Sequence, residues 1–431
     1  MTDRSPSPLR LARGVALFAA ALRTLVYAVW PVELSRDAAG YWRLAGTLLE
    51  HGGLLDAEGQ PTAARLPGYP MFVAAIRAVV DAPEAVVFVH ALLDGLNCYL
   101  IAILALRLSW PETDGPAWRG FGRRELGAAV SAFAWAIYPY SFAYGHRVIT
   151  ETSSVTLILA AALLVSGPGR DRWPSWLGLG VVWAALTHVK PTFMFFIPCW
   201  LAYRFVTAGP GRARVVRPIG VAFVAFVLAL APWPVRNRVQ MGHWVVGATN
   251  FGPSFFNGVY GKGTLGHPWD YGAVEFGPGG ADAEEIAKRE ALLDGLKHAP
   301  ELVRNRGVGA VAWRLVKEDP LHFARNAALT VPRVWLRFPW EMPPTPKGLL
   351  LSALQLLWLG AGLWGGWRLL RSRGSVPEAG TELLRFVEAV CIYTTGVHLI
   401  TTPLTRYSFQ AYALLCAFIG PGAGSRKKTG A

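Results

Sequence analysis

Along most of the chain, long apolar runs alternate with short connectors rich in Arg, Gly and Pro. A membrane-crossing helix needs about 20 mainly apolar residues. The pattern predicts such helices over roughly 12–31, 84–106, 126–143, 152–167, 175–189, 192–207, 216–233, 348–368, 381–400 and 407–421. The run at 69–80 is apolar but shorter, and is expected as a re-entrant or interfacial helix leading back to the membrane. Between the first two long runs lies a polar stretch, residues 35–72, reading SRDAAGYWRLAGTLLEHGGLLDAEGQPTAARLPGYPMF. Its segment 41–49 predicts an amphipathic helix.

After Trp233 the pattern changes. PWPVRNRVQMGHWVVGATNFGPSFFNG is dense in Gly, Asn and Pro and is expected as ordered loop rather than helix. From 282 to about 333, Ala, Leu, Glu and Lys dominate in a helical pattern whose charges forbid burial in lipid. Two or three helices lying on the outer membrane surface are expected there. The whole pattern predicts an all-α polytopic membrane protein with about ten transmembrane helices. Its three parts are an N-terminal transmembrane core, 1–233, containing the first outer loop, 32–83; an outer region, 234–346, with amphipathic helices; and 347–431, with the C-terminal transmembrane helices and a basic tail.

Composition agrees: 53% of the 431 residues are hydrophobic and only 16% charged, against about 25% charged in soluble domains. The 18 Trp, 13 Tyr and 21 Phe suit the bilayer interface, where one end of an amphipathic ring stays wet. The net charge of +14 comes from no separable basic domain, so no nucleic-acid partner is expected. With the N-terminus inside, the inner connectors hold Arg107, Arg119, Arg123 and Arg124, then Arg170 and Arg172, then Arg204, Arg212, Arg214 and Arg217, then Arg368, Arg371 and Arg373. Arg426, Lys427 and Lys428 follow in the tail. This alternation obeys the positive-inside bias and puts both termini in the cytoplasm. It gathers 32–83, 144–151, 188–192, 233–346 and 401–407 on one outer face. Arg4, Arg10 and Arg13 before the first run resemble a signal peptide's opening. With no small-residue cleavage site and many later spans, an uncleaved first helix is expected. Cys98, Cys199, Cys391 and Cys416 lie in apolar segments, as packing residues rather than a disulfide framework or metal cluster.

The candidate chemistry lies on that outer face. Asp37 follows the first span; a carboxylate there suits a general base or a helix N-cap. Local sequence favours the cap, whereas the surrounding pattern favours the base. Two prolines and a glycine make RLPGYP, 65–70, a rigid turn, and an arginine held by it suits an anion or substrate; the plainer alternative is a snorkelling Arg65 at a helix start. On the tight hairpin YGHRVITE, 144–151, Glu151 either pairs with Arg147 or hydrogen-bonds a polar substrate. His146 has no second His at ligand spacing, so it is expected as a hydrogen-bonding group rather than a metal ligand. Lys190 in THVKP is a candidate phosphate binder; Arg236, Asn237 and Arg238 follow a span's end; Arg406 and Tyr407 open the last one. Trp244, Phe251, Phe255 and Phe256 either line an apolar–polar boundary or pack.

In their order, Asp37 with Tyr41 and Leu44-Ala45, then RLPGYPMF, Thr150-Glu151, PWPVRN with Gly242 and TNFG, and a late Arg406-Tyr407 resemble the GT-C glycosyltransferases. The likeness is nearest to bacterial members related to protein O-mannosyltransferases and lipid A aminoarabinose transferases. It implies a GT-C-like bundle, a polyprenyl-phosphate sugar donor, and a glycolipid, polysaccharide or protein acceptor at the bilayer. By that resemblance Asp37 is the general base of an inverting transfer, and Arg65, Lys190, Arg236 and Arg406 hold the donor phosphate. Tyr41, Tyr69, His146, Arg147, Glu151, Asn237, Asn250 and Tyr407 are then substrate-binding. Some relatives have two adjacent acids in the first loop; here Arg36 and Ala38 flank Asp37, so a bound divalent metal is not supported and no cofactor is expected. The chain is short for the group, with no sizeable soluble domain after its last span. The resemblance implies a bacterial inner membrane and an extracytoplasmic site. A transporter or flippase would also need intramembrane charge and broken helices. The halves show no repeat and the polar residues gather on one face, which favours the enzyme. A non-catalytic assembly subunit would tolerate loss of Asp37.

Overall fold

The computed structural model describes residues 9–109, 116–118, 121–170, 172–207, 212–260, 291, 293–296, 298–336, 345–371, 376–401 and 404–424. The expected helical pattern from 282 to 290 and the basic tail lie outside them. Helix α1 (Arg10–Val29) is followed on the first loop by α2 (Asp37–His51) and α3 (Gly68–Arg77), then by α4 (Pro83–Leu108), which packs along α1. A small hairpin pairs Pro116–Trp118 with Phe121–Gly122. Helices α5 (Arg123–Ala136) and α6 (Pro139–Gly145) meet at a 52° bend. Pro139 makes that break: it donates no hydrogen bond and holds Tyr138 in extended backbone. Next come α7 (Glu151–Ser166), α8 (Trp173–Val189), α9 (Phe196–Thr207), α10 (Arg212–Leu230), α11 (Pro232–Met241) and α12 (Phe251–Tyr260). The remaining helices are α13 (Glu301–Glu318), α14 (Pro320–Trp335), α15 (Pro346–Arg371), α16 (Glu378–His398), α17 (Phe409–Cys416) and α18 (Ile419–Gly424).

Every segment predicted to span the membrane is helical, and the chain is an all-α polytopic membrane protein. Among the described residues, α1, α4, Val216–Met241 and α15 suffice by length and composition to cross a bilayer, and the bent α5–α6 pair makes a fifth. The other predicted spans are shorter, as in α7 with 16 residues, or open with charges, as α16 does with Glu378, Glu382 and Arg385.

One expectation is corrected. PWPVRN was expected as loop, yet it opens α11, separated from α10 by Ala231, and GPSFFNG lies in α12. Pro232, Pro234 and Pro253 all fall in first turns, where a backbone N–H has no intrahelical acceptor to lose. Gly242, at φ 74°, ends α11 in the left-handed conformation.

Close backbone contact builds the bundle. At Gly180 an added Cβ would lie 2.8 Å from the Cβ of Ala225 on α10, so the small residues let α8 and α10 touch. In the core, Arg23 of α1 and Asp94 of α4 form an ion pair with both side chains buried. Trp135 donates its indole N–H to Asp94 Oδ1 at 2.7 Å, and Arg23 donates to Ser141 Oγ at 2.6 Å. A buried charge is tolerated only when so satisfied, and the network fixes α1 and α4 against α5 and α6.

The first loop packs back on this bundle through Gly68. A Cβ there would lie 2.8 Å from both the carbonyl carbon and the Cβ of His188, at the end of α8. Gly68→Ala is therefore expected to push RLPGYP away from Lys190 and to cost about 1–3 kcal/mol, read as a lowered melting temperature in detergent.

Candidate active site

Seven separated stretches of chain line a cavity of about 580 Å³. Asp37 and Tyr41 of α2, Arg65 before α3, Thr150 and Glu151 at the start of α7, Lys190 after α8, and Arg406 and Tyr407 before α17 supply its polar floor. Met194, Phe195, Val246, Phe251, Val397 and Ile400 form an apolar side, with Phe195 and Phe251 more than half exposed at 65% and 55%.

Asp37 is the first residue of α2, and the N-cap alternative is not realised. The cap position belongs to Arg36, with no side-chain cap bond. Arg36, at φ 51°, is the lone non-glycine with positive φ among the described residues, a strained conformation of the sort that gathers at functional sites. The freed Asp37 carboxylate pairs with Arg65 and, at 2.7 Å, with Arg406. Burial acts to raise its pKa, but Arg406 and Arg65 outweigh burial and hold the carboxyl well below the usual carboxylate range.

The second carboxylate, Glu151, is buried at 2% exposure. Its partner is not Arg147: Lys190 Nζ lies 3.3 Å from its Oε1 and Arg406 Nε 3.9 Å. Burial pulls the Lys190 ammonium below its ordinary pKa, with Glu151 opposing. Arg406 thus bridges both carboxylates. Three cations face two carboxylates, which leaves the floor with a positive surplus suited to an anion.

Aromatic rings hold these groups. The Arg65 guanidinium lies 5.4 Å from the centre of the Tyr41 ring, and Tyr41 rests edge-on against Tyr69 at 4.8 Å. Burial pushes the Tyr41 phenol up to about 12, so it stays a neutral hydrogen-bonding group. Tyr407 stacks on His398 at 4.4 Å and lies 5.4 Å from Lys190 Nζ. The loop segment leading to Arg65 is tied down by Glu301, the first residue of α13. Glu301 accepts from the Thr62 hydroxyl, from the Ala63 N–H at 3.0 Å and from the Thr249 hydroxyl. Through Thr249 the same carboxylate anchors Asn250, which lines the cavity.

Of the predicted site residues, Asp37, Tyr41, Arg65, Glu151, Lys190, Asn250, Arg406 and Tyr407 converge. Five do not line the cavity. Tyr69 is fully buried, with its hydroxyl 3.2 Å from His90. His146 stacks on Trp30 and hydrogen-bonds its carbonyl at 2.8 Å, as the structural expectation had it. Arg147 is exposed on the hairpin. Arg236 donates to the Thr62 and Leu54 carbonyls at 2.9 and 2.8 Å, and Asn237 to the Val245 carbonyl at 2.8 Å; because α11 is a helix, Arg236 braces the first loop while Asn237 ties the segment after α11 back to it. Arg236→Ala is expected to lower stability by about 1.5–3 kcal/mol while activity per folded molecule is retained, as denaturant unfolding and an activity assay on the same preparation would show. Among the aromatics, Phe251 lines the cavity, Phe255 and Phe256 pack against Val308 and Ala312 of α13, and Trp244 is exposed. Sequence reasoning missed His398 and Thr401, which line the cavity; polar residues at the mouth of the span, in HLITT, were the available signal.

Within the described residues, no group of three or more His, Cys, Asp or Glu is arranged to hold a metal ion.

No family model matches the chain, and no curated protein matches it. Among solved structures it is similar to the Archaeoglobus fulgidus oligosaccharyltransferase in the apo form, with TM-score 0.51 and 13% identity over 96% of this chain and 50% of that one. It also matches ArnT from Cupriavidus metallidurans bound to undecaprenyl phosphate, with TM-score 0.42, 11% identity and coverage of 94% and 77%. A further match is arabinosyltransferase EmbB from Mycobacterium smegmatis, with TM-score 0.33, 14% identity and coverage of 95% and 41%. The chain spans about half the length of the oligosaccharyltransferase. At these identities the shared property is architecture, and in architecture the chain has the GT-C fold.

Proposed function

We propose that the chain is a membrane glycosyltransferase that moves a sugar from a polyprenyl-phosphate donor to an acceptor hydroxyl, with inversion. The active site faces the extracytoplasmic side of a bacterial inner membrane, and both termini are cytoplasmic. The observation that carries this reading is the convergence of Asp37, Arg65, Glu151, Lys190 and Arg406 on one cavity with a polar floor and an apolar side. A lipid-linked sugar phosphate needs both: its tail stays among apolar groups while phosphate and sugar meet the charges.

In the reaction the acceptor oxygen forms a bond to the anomeric carbon, the bond from that carbon to the donor phosphate oxygen breaks, and the hydroxyl proton passes to the Asp37 carboxylate. The leaving polyprenyl phosphate gains negative charge as it departs. Arg65, Lys190 and Arg406 stabilise that developing charge from fixed positions. The donor phosphate also competes with Asp37 for the two arginines. As their hold loosens, the carboxylate recovers proton affinity where a base is needed. Glu151 keeps Lys190 and Arg406 in place, and Asn250 and Tyr407 meet the sugar or acceptor. A glycolipid, polysaccharide or protein hydroxyl fits as acceptor.

The test is to incubate the purified chain with polyprenyl-phosphate pentoses and hexoses and envelope acceptors, and to measure released polyprenyl phosphate and glycosylated product. Transfer from at least one donor is expected. Movement of the lipid across vesicles without cleavage of any donor would replace this reading with a flippase. A topology reporter that found 234–345 in the cytoplasm would remove the proposed orientation.

A further inference from the structure

Helices α7, α8, α9 and α16 reach the cavity at one end, through Glu151, Lys190, Phe195 and His398. Their other ends enclose a second, small pocket, of about 40 Å³. From Glu151 to Val165 along α7 the separation is about 20 Å at the helical rise per residue, so the two sites lie at opposite ends of the same four helices. Trp176 and Trp200 line this pocket, stacked with ring centroids 6.1 Å apart. They are 8% and 2% exposed. Both indole N–H groups are buried without a partner, and so is the Nε–H of Arg204, which also lines the pocket.

Three buried, unsatisfied donors in one pocket are costly unless something accepts from them. The two carboxylates present are already engaged: Glu378 pairs with Arg170 at 2.5 Å, and Glu382 with Arg204 and, at 3.0 Å, with Arg385. Arg170 and Arg204 of the lining balance Glu378 and Glu382, and Arg385 adds a further positive charge beside Glu382, so the local charge does not oppose an anion. The volume holds a few water-sized groups, enough for one phosphoryl group and not for a sugar. The surroundings are those of a headgroup layer, with Trp173 59% exposed, Tyr203 42% and Phe205 41%, alongside exposed Arg172.

We propose that this pocket binds a phosphate group, with Trp176 Nε1, Trp200 Nε1 and Arg204 Nε donating to its oxygens. The phosphate comes from an anionic phospholipid of the bilayer or from free phosphate in solution. Because the site is distant from the transfer chemistry, the inference stands independently of the glycosyltransferase reading.

The experiment compares the full-length chain with the double variant Trp176→Phe/Trp200→Phe, which keeps both rings and removes both donors. Each is purified in phosphate-free buffer, delipidated, and offered phosphatidylglycerol vesicles, vesicles of a phosphate-free galactolipid, or inorganic phosphate. Bound phosphorus is counted by native mass spectrometry, and melting temperature is recorded in each arm. The unmodified chain is expected to hold one more phosphate-bearing molecule than the variant, with the variant's affinity at this site down at least about tenfold, the consequence of losing two charge-assisted bonds. Retention of phosphatidylglycerol identifies a lipid site; an effect of inorganic phosphate alone identifies a solute site. Equal phosphorus on both proteins in every arm overturns the proposal, as does equal stabilisation by the galactolipid, which would leave water as the acceptor. Matching melting temperatures in lipid- and phosphate-free detergent show that the variant folds; if it does not, the single Trp200→Phe chain carries the same comparison.

Discussion

Asp37→Asn is expected to lower the turnover of sugar transfer by about 10²–10⁴-fold, the usual contribution of a positioned general base, without raising the KM for the donor. The amide keeps the shape of the carboxylate and its oxygen accepts from one of the two arginines, while its NH2 faces the other and takes no proton. Removing one negative charge also enlarges the positive surplus of the floor, so an anionic donor binds at least as well. This split separates a base from a brace: loss of a structural carboxylate would raise KM as turnover fell, through a disordered phosphate site. Transfer at the wild-type rate would sink the assignment outright. The pH dependence follows from the depressed carboxyl. A folded-state pKa below the unfolded value contributes stability that is present above the ordinary carboxylate range and is lost as pH falls through the depressed value. The melting-temperature difference between wild type and Asp37→Asn is therefore expected to stay flat from about pH 5 to 8 and to shrink only in stronger acid.

The second large effect is expected at Glu151→Gln. Lys190 and Glu151 are 3% and 2% exposed, and removing one partner of a buried pair strands the other charge, at about 3–5 kcal/mol. Lys190 has an escape, since burial already pulls its ammonium below the ordinary value of 10.5, and loss of Glu151 takes away the main opposing influence. For a lysine with a lowered folded pKa the unfolded chain binds the extra proton, so stability rises with pH up to the unfolded value. The variant's melting temperature is expected to climb more steeply than wild type's between about pH 7 and 10.5. A parallel climb would mean that Glu151 does not support Lys190. Donor KM is expected to rise in the same variant, because Arg406 also loses its second anchor.

Much of this site was legible in the chain because polar residues at the mouths of apolar spans are costly and need a reason. Asp37, Glu151, Lys190 and Arg406 stand beside long apolar runs and Arg65 beside the shorter one at 69–80, and all five meet. The chain is less legible where local composition is ambiguous. Arg236 and Asn237 look like loop residues because prolines surround them, yet prolines in a helix's first turn leave the helix intact, and that helix aims Arg236 at carbonyls of the first loop and Asn237 at the Val245 carbonyl. For Glu151 the local sequence offers only Arg147 as an ionic partner beside a polar substrate, whereas its observed partners are 39 and 255 positions away along the chain. His398 passed unnoticed because a histidine near the end of a span has many uses.

By itself, the sequence determined the all-α membrane class, the positions of the helical segments and the small set of charges at their ends, because hydropathy and the cost of bare charge in lipid act locally. Only the tertiary structure decided which charges share a cavity, that Asp37 is released from capping by the strained Arg36, and that Arg406 bridges two carboxylates from distant stretches. It likewise decided that the buried Arg23 meets Asp94. Those outcomes depend on how helices far apart in the chain approach one another, through close contacts such as Gly68 on His188 and Gly180 on Ala225, and no local pattern encodes that approach.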